Sequence, residues 1–134
     1  MGYTHYWRQK RDFTDQEWSE IKEKAKDILA AFEKSGGKLS ADSYQEPPPH
    51  WVRFNGSPGC EQFILNEHKA EHFFYGWMTL EEYNENGAFY FCKTRQLPYD
   101  FAVVGVLRAA KRVAPDAITL SSDGDVFNDL EEGK

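Results

Sequence analysis

The segment "TDQEWSEIKEKAKDILAAF" repeats apolar positions at intervals of three and four: Trp18, Ile21, Ala25, Ile28, Leu29 and Phe32. That period aligns them along one stripe of an amphipathic helix of about five turns. Thr14, with Glu17 three residues later, forms a capping-box pattern at its start. Gly36-Gly37 supplies a stop. Before it, "YTHYW" (3–7) is rich in strand formers and predicts a first strand, which "RQKRDF" leads out of.

Beyond the helix, residues 38–50 are polar and proline-rich, and their three prolines exclude a central strand. "WVRFN" (51–55) then alternates, with Val52 and Phe54 on one face and Trp51, Arg53 and Asn55 on the other. "GSPG" is a turn, and "EQFILNE" (61–67) predicts a strand paired with the previous one as a hairpin. Residues 68–87 carry weaker signals: "HKAEHFFYGW", a short helical turn at "TLEEY" and the turn "NENG". "AFYFCKT" (88–94) is apolar on both faces, which predicts a central, buried strand. Pro98 sits where a helix begins, "DFAVVGVLRAAKRV" is a nearly all-apolar helix, and Pro115 ends it. Gly105 is expected to let that helix lie close on the sheet. "AITLSSDG" is the last strand, with Ile118 and Leu120 pointing one way and Thr119 and Ser121 the other.

The predicted order is β-α-β-β-β-α-β. Right-handed crossovers place both helices on one side of the sheet. The expected fold is α+β: a ferredoxin-like (βαββαβ) two-layer sandwich, mostly antiparallel, with an added strand or insertion at 68–87. One domain covers 1–124, and 125–134 form a loosely held acidic tail.

Composition narrows the function classes. The chain has 134 residues, 16% of them aromatic, and a formal charge of −6. That balance opposes binding to a nucleic-acid backbone, which clustered Lys and Arg drive. No apolar run approaches the ~18 residues of a membrane span. No leader-like apolar segment opens the sequence, and the start matches a myristoylation pattern only in part, because Tyr6 stands where Ser or Thr is wanted. A cytoplasmic protein with reduced Cys60 and Cys92 is expected.

The densest chemistry is "FCKTRQLPYD" (91–100), at a strand-to-helix junction. Unpaired N–H groups at a helix start favour anions, and Lys93 and Arg95 add positive charge. The simpler reading is structural: Asp100 complements the helix dipole, Tyr99 packs on the sheet edge and Lys93 extends along the surface. Cys92, between aromatics, is expected to act as a small hydrophobe rather than a nucleophile. Cys60 follows a turn and has no evident partner. "HKAEH" (68–72) matches the inverted zinc-protease pattern, but "FFYGW" interrupts the helix that pattern needs, and incidental surface histidines are favoured. "SSDG" reads as a turn, or as a clamp of Ser121, Ser122 and Asp123. His5 beside Glu61, Asp100 or Asp123 would make a general base, although a structural, hydrogen-bonded His is the commoner case. His5 and "SSDG" are expected at one edge of the sheet with "CKT…PYD" toward the other, which argues against one compact cluster. The signatures of nucleotide hydrolases, dinucleotide enzymes and esterases do not occur.

The blocks "GYTHYW", "FNG", "EQF", "FCKT…PYD" and "SSDG" together resemble an uncharacterised family of small proteins of tailed phages and mobile elements. The chain departs from that pattern by a longer 68–87 segment and by "RQL" before Pro98. The resemblance implies a setting, that of an accessory protein acting against a host function.

The leading expectation is a non-catalytic binder of a small anionic, nucleotide-like ligand. Trp51, Trp77, Tyr3 and Tyr99 would stack on a base. Lys93, Arg53 and Arg95 would meet phosphates, and Asn55 and Ser121 would fix orientation. Around them the candidate site includes His5, Glu61, Thr94, Asp100, Ser122 and Asp123. The first alternative is a protein-binding inhibitor using Phe73, Phe74, Tyr75 and Trp77; the second is a small hydrolase. No cofactor or metal is expected. The partners are a small anionic ligand or a host protein, with self-association open and a membrane excluded.

Overall fold

The computed structural model describes residues 4–39, 50–56, 62–68, 88–94, 98–123 and 127. Its elements are β1 (Thr4–Gln9), α1 (Asp15–Lys34), β2 (Trp51–Phe54), β3 (Phe63–Asn66), β4 (Ala88–Lys93), α2 (Asp100–Val113) and β5 (Ile118–Ser122). The fold is α+β, and the described residues form two helices and five strands in antiparallel sheets. The possible turn at "TLEEY", Cys60 and the Phe73–Trp77 aromatics lie outside the described residues.

Helix α1 begins as its sequence dictates. The Thr14 side chain accepts from the Glu17 amide, and Glu17 returns a bond to the Thr14 amide. Glu17 also receives the Arg11 guanidinium, which reaches Asp116 ahead of β5. Trp18, Ile21, Ala25, Leu29 and Phe32 are buried, and Gly36 takes φ +102° at the exit, a conformation glycine adopts without a Cβ penalty.

Three strands pair in the order β4-β1-β5, with β1 antiparallel to both neighbours. This is compatible with the centre of a ferredoxin-like sandwich. β2 and β3 pair as the expected hairpin, Trp51 opposite Asn66 and Phe54 opposite Phe63, in a two-stranded sheet of their own. The hairpin buries Val52, Phe54, Phe63 and Leu65 in the same core as the helices, and Phe63 meets Trp7 of β1 at 5.2 Å. Each such fully buried side chain stabilises the fold by about 1.5–3 kcal/mol.

The expectation that "AFYFCKT" is the central strand is corrected. Among the described strands, the centre is β1, and β4 pairs with β1 alone. Phe91 is 48% exposed and Lys93 is exposed. β1 is central despite its polar residues because the His5 ring and the Gln9 Nε2 group find hydrogen-bond partners inside. Gln9 is fully buried and its amide donates to the carbonyls of Asn66 and Glu67, tying the hairpin to β1. β1 also runs two residues beyond "YTHYW". A second correction concerns Gly105. Its close approach is to Ile28 of α1, not to the sheet; a Cβ there would sit 3.2 Å from Ile28 Cγ2.

The sheet has two unlike faces. His5, Trp7, Gln9, Cys92, Ile118 and Leu120 are buried toward the helices. The opposite face carries Tyr6, Arg8, Phe91, Lys93, Thr119 and Ser121, all half-buried or exposed. No described helix is long and apolar enough to cross a membrane.

Candidate functional site

The start of β1 and the ends of β4 and β5 lie together, because β1 runs against both: Thr4 pairs with Lys93, and His5 pairs with Cys92 on one side and Ser122 on the other. Helix α2 begins at the same end. One strand therefore separates "CKT…PYD" from "SSDG", and the residues expected at opposite edges converge on His5.

His5 has no exposed surface. Its Nδ1 lies 2.9 Å from Ser122 Oγ and its Nε2 lies 2.6 Å from Asp100 Oδ1. Thr94, buried at the end of β4, donates its hydroxyl to the same Asp100 oxygen at 2.5 Å. Burial pushes the Asp100 carboxyl up, but the hydrogen bonds from His5 and Thr94 outweigh it and hold the carboxyl below its ordinary range. An ionised Asp100 only accepts, so Nε2 carries a hydrogen. In the neutral ring Nδ1 then accepts from the Ser122 hydroxyl. The line Ser122–His5–Asp100 has the connectivity of a nucleophile, a base and an orienting carboxylate. Phe127, in the stretch expected to be a loose tail, is buried and packs edge-on against the His5 ring at 5.5 Å. The packed body of the chain thus reaches at least to Phe127.

Asp123 closes the outer rim. One carboxylate oxygen accepts from the Thr4 amide at 2.9 Å and the other from the Tyr6 hydroxyl at 3.2 Å. On the face turned from the helices, one cross-strand row runs Phe91–Tyr6–Ser121, with Lys93 and Arg8 two residues along their own strands.

Five expected site residues, His5, Thr94, Asp100, Ser122 and Asp123, thus meet through hydrogen bonds, directly or through the β1 backbone. Lys93 and Ser121 lie beside them on the outer face. Tyr99 is 1% exposed, with its hydroxyl 3.8 Å from Cys92 Sγ, so it is a core residue and its expected stacking role is corrected. Cys92 is fully buried, as a small hydrophobe would be. Trp51, Arg53 and Asn55 stand on or beside β2; the Arg53 guanidinium lies 5.8 Å from the Trp51 ring centre. Tyr3, Glu61, Trp77 and Arg95 lie outside the described residues. Tyr6, Arg8 and Phe91 are additions. Their signal was the alternation of "YTHYWR" and "AFYFCK", once one face is known to be uncovered by helices.

The chain matches no family model, no curated protein and no solved structure.

Proposed function

We propose that the protein is a non-catalytic binder of a small anionic, nucleotide-like ligand, received on the outer face of the β4-β1-β5 sheet. The observation that carries this is the nearly half-exposed Phe91, in register with Tyr6 and beside Lys93, on a face turned from both helices. An aromatic ring offered on a sheet stacks a base for about 1–3 kcal/mol without reading its sequence. Lys93 and Arg8 supply charge-assisted donors for a phosphate. Ser121 and Asp123 offer hydroxyl and carboxylate oxygens at the rim for sugar hydroxyls. The net charge of −6 disfavours a long polyanion and leaves a mono- or dinucleotide-sized ligand. In a phage or mobile element the protein would act in the host cytoplasm by sequestering such a molecule.

Calorimetry and thermal melts with linear and cyclic nucleotides test this. At least one nucleotide stabilises the chain, and Phe91→Ala weakens its binding tenfold or more, which is about 1.4 kcal/mol. Lys93→Ala weakens it and flattens its salt dependence. Because both side chains are exposed, the variants keep the parent melting temperature. No stabilisation by any nucleotide would count decisively against the proposal.

The Ser122–His5–Asp100 line favours one second reading, a small hydrolase with Ser122 as nucleophile and His5 as base. The complete burial of His5 weighs against it, since a substrate would reach the imidazole only through Ser122. An organophosphonate that labels the parent but not Ser122→Ala would establish this reading; an unlabelled parent removes it.

A further inference from the structure

At the open end of the hairpin, three metal-ligating side chains converge from outside the site described above. His50 precedes β2, while Glu67 and His68 follow β3. One donor atom from each lies within 4.8 Å of the other two. His50 Nδ1 is 2.7 Å from Glu67 Oε1, and His68 Nε2 is 3.7 Å from that same oxygen. The two rings stand 5.6 Å apart between centroids.

We propose that His50, Glu67 and His68 form a binding site for a divalent transition-metal ion of the Zn²⁺ type. Tetrahedral zinc with bonds of about 2.0–2.1 Å holds its donor atoms about 3.3 Å apart. The two separations from Glu67 bracket that value, and rotation of the exposed His50 and His68 side chains brings the third pair of donors, within 4.8 Å, to it. Two imidazoles with one carboxylate select a borderline cation over Mg²⁺ or Ca²⁺, which take all-oxygen sets.

The scaffold supports the ligands. Glu67 is buried, its amide donates to the His50 carbonyl at 2.8 Å, and its carbonyl accepts from the Phe13 amide at 3.0 Å. The backbone thus fixes the separation of the ligands before any ion binds. His68 also has an outer partner, since its Nδ1 lies 3.3 Å from Asp12 Oδ2. A carboxylate that takes the Nδ1 hydrogen sets the tautomer and presents the Nε2 lone pair on the side of Glu67. His50 and His68 are more than half exposed, so three protein ligands leave a fourth position to water. The ion takes the place of the hydrogen that bridges His50 Nδ1 and Glu67, and the ring hydrogen of His50 then sits on Nε2. Because Asp12 lies between β1 and α1, the loaded site fastens the hairpin base to that connection.

The sequence motif "HKAEH" pointed to this neighbourhood with a different ligand set. Of that motif His68 is the member among the described residues, and its partners are His50, 18 residues upstream, and the adjacent Glu67.

The test uses the full chain stripped with a chelator and titrated with Zn²⁺ by calorimetry, then with Co²⁺ by visible absorption. The proposal expects one ion per chain, a raised melting temperature, and Co²⁺ bands characteristic of imidazole and carboxylate ligands. His50→Ala and His68→Ala each weaken binding at least tenfold while the metal-free melting temperature stays near the parent's. Asp12→Ala weakens it about 10–100-fold, as the loss of an outer partner does. Failure to bind either ion, or undiminished binding by the His50→Ala/His68→Ala double variant, would overturn the proposal.

Discussion

His5 is held from three sides, by Ser122, Asp100 and the edge of the Phe127 ring, and each contact comes from a different part of the chain. A buried imidazole without partners would cost the desolvation of two polar nitrogens, about 1–3 kcal/mol each. With them it joins β1, β5 and the start of α2. Asp100 carries the electrostatic share. Its carboxyl is held below the unfolded value near 3.8, so ionisation of Asp100 contributes stability in full above about pH 5. That contribution disappears as the pH falls through the folded value. Asp100→Asn should therefore melt below the parent at pH 7, and the gap should narrow steadily below about pH 4. A gap that stays constant across that range would mean that the ionised carboxylate is not what His5 and Thr94 meet. The roles of His5 and Asp100 were legible as residue types. Their meeting was not, because the 94 intervening residues carry no local sign of which strand end is adjacent to which helix start.

Among the elements, α1 could be read almost completely from sequence, because its period, capping box and glycine stop agree. Its contact with α2 could not. Gly105 sits against Ile28, where any side chain must push the isoleucine aside. Gly105→Val should cost about 1–3 kcal/mol by overpacking. Ile28→Ala in the same chain should recover part of that loss, a coupling that adjacent sites show and distant ones do not. Equal losses with and without Ile28→Ala, measured by urea unfolding, would place the valine against something other than α1. The strands taught the opposite lesson. β4 was expected at the centre because its residues are apolar on both faces. Partnered polar side chains allow the reverse: buried Gln9 satisfies carbonyls at the hairpin base, and Phe91 faces outward. Apolar content alone therefore does not set a strand's place in the sheet.

For the molecule as a whole, the two layers assign different work to the two faces of one sheet. The inner face, helices and hairpin make the core. The outer face sets an aromatic pair among cations and hydroxyls, and the His5 network lies beneath it, fixing the ends of the three strands that carry it. The architecture and this division of faces followed from periodicity. The burial of Tyr99 did not follow from periodicity, because the residues just before a helix carry no repeating pattern that tells core from surface. Amide chemical-shift mapping during titration with a stabilising nucleotide tests the central claim most directly. Perturbations centred on Tyr6, Arg8, Phe91, Lys93 and Ser121, with α1 unmoved, are the predicted result. Perturbations centred on α1, or on β2 around Trp51 with β4 silent, would contradict it.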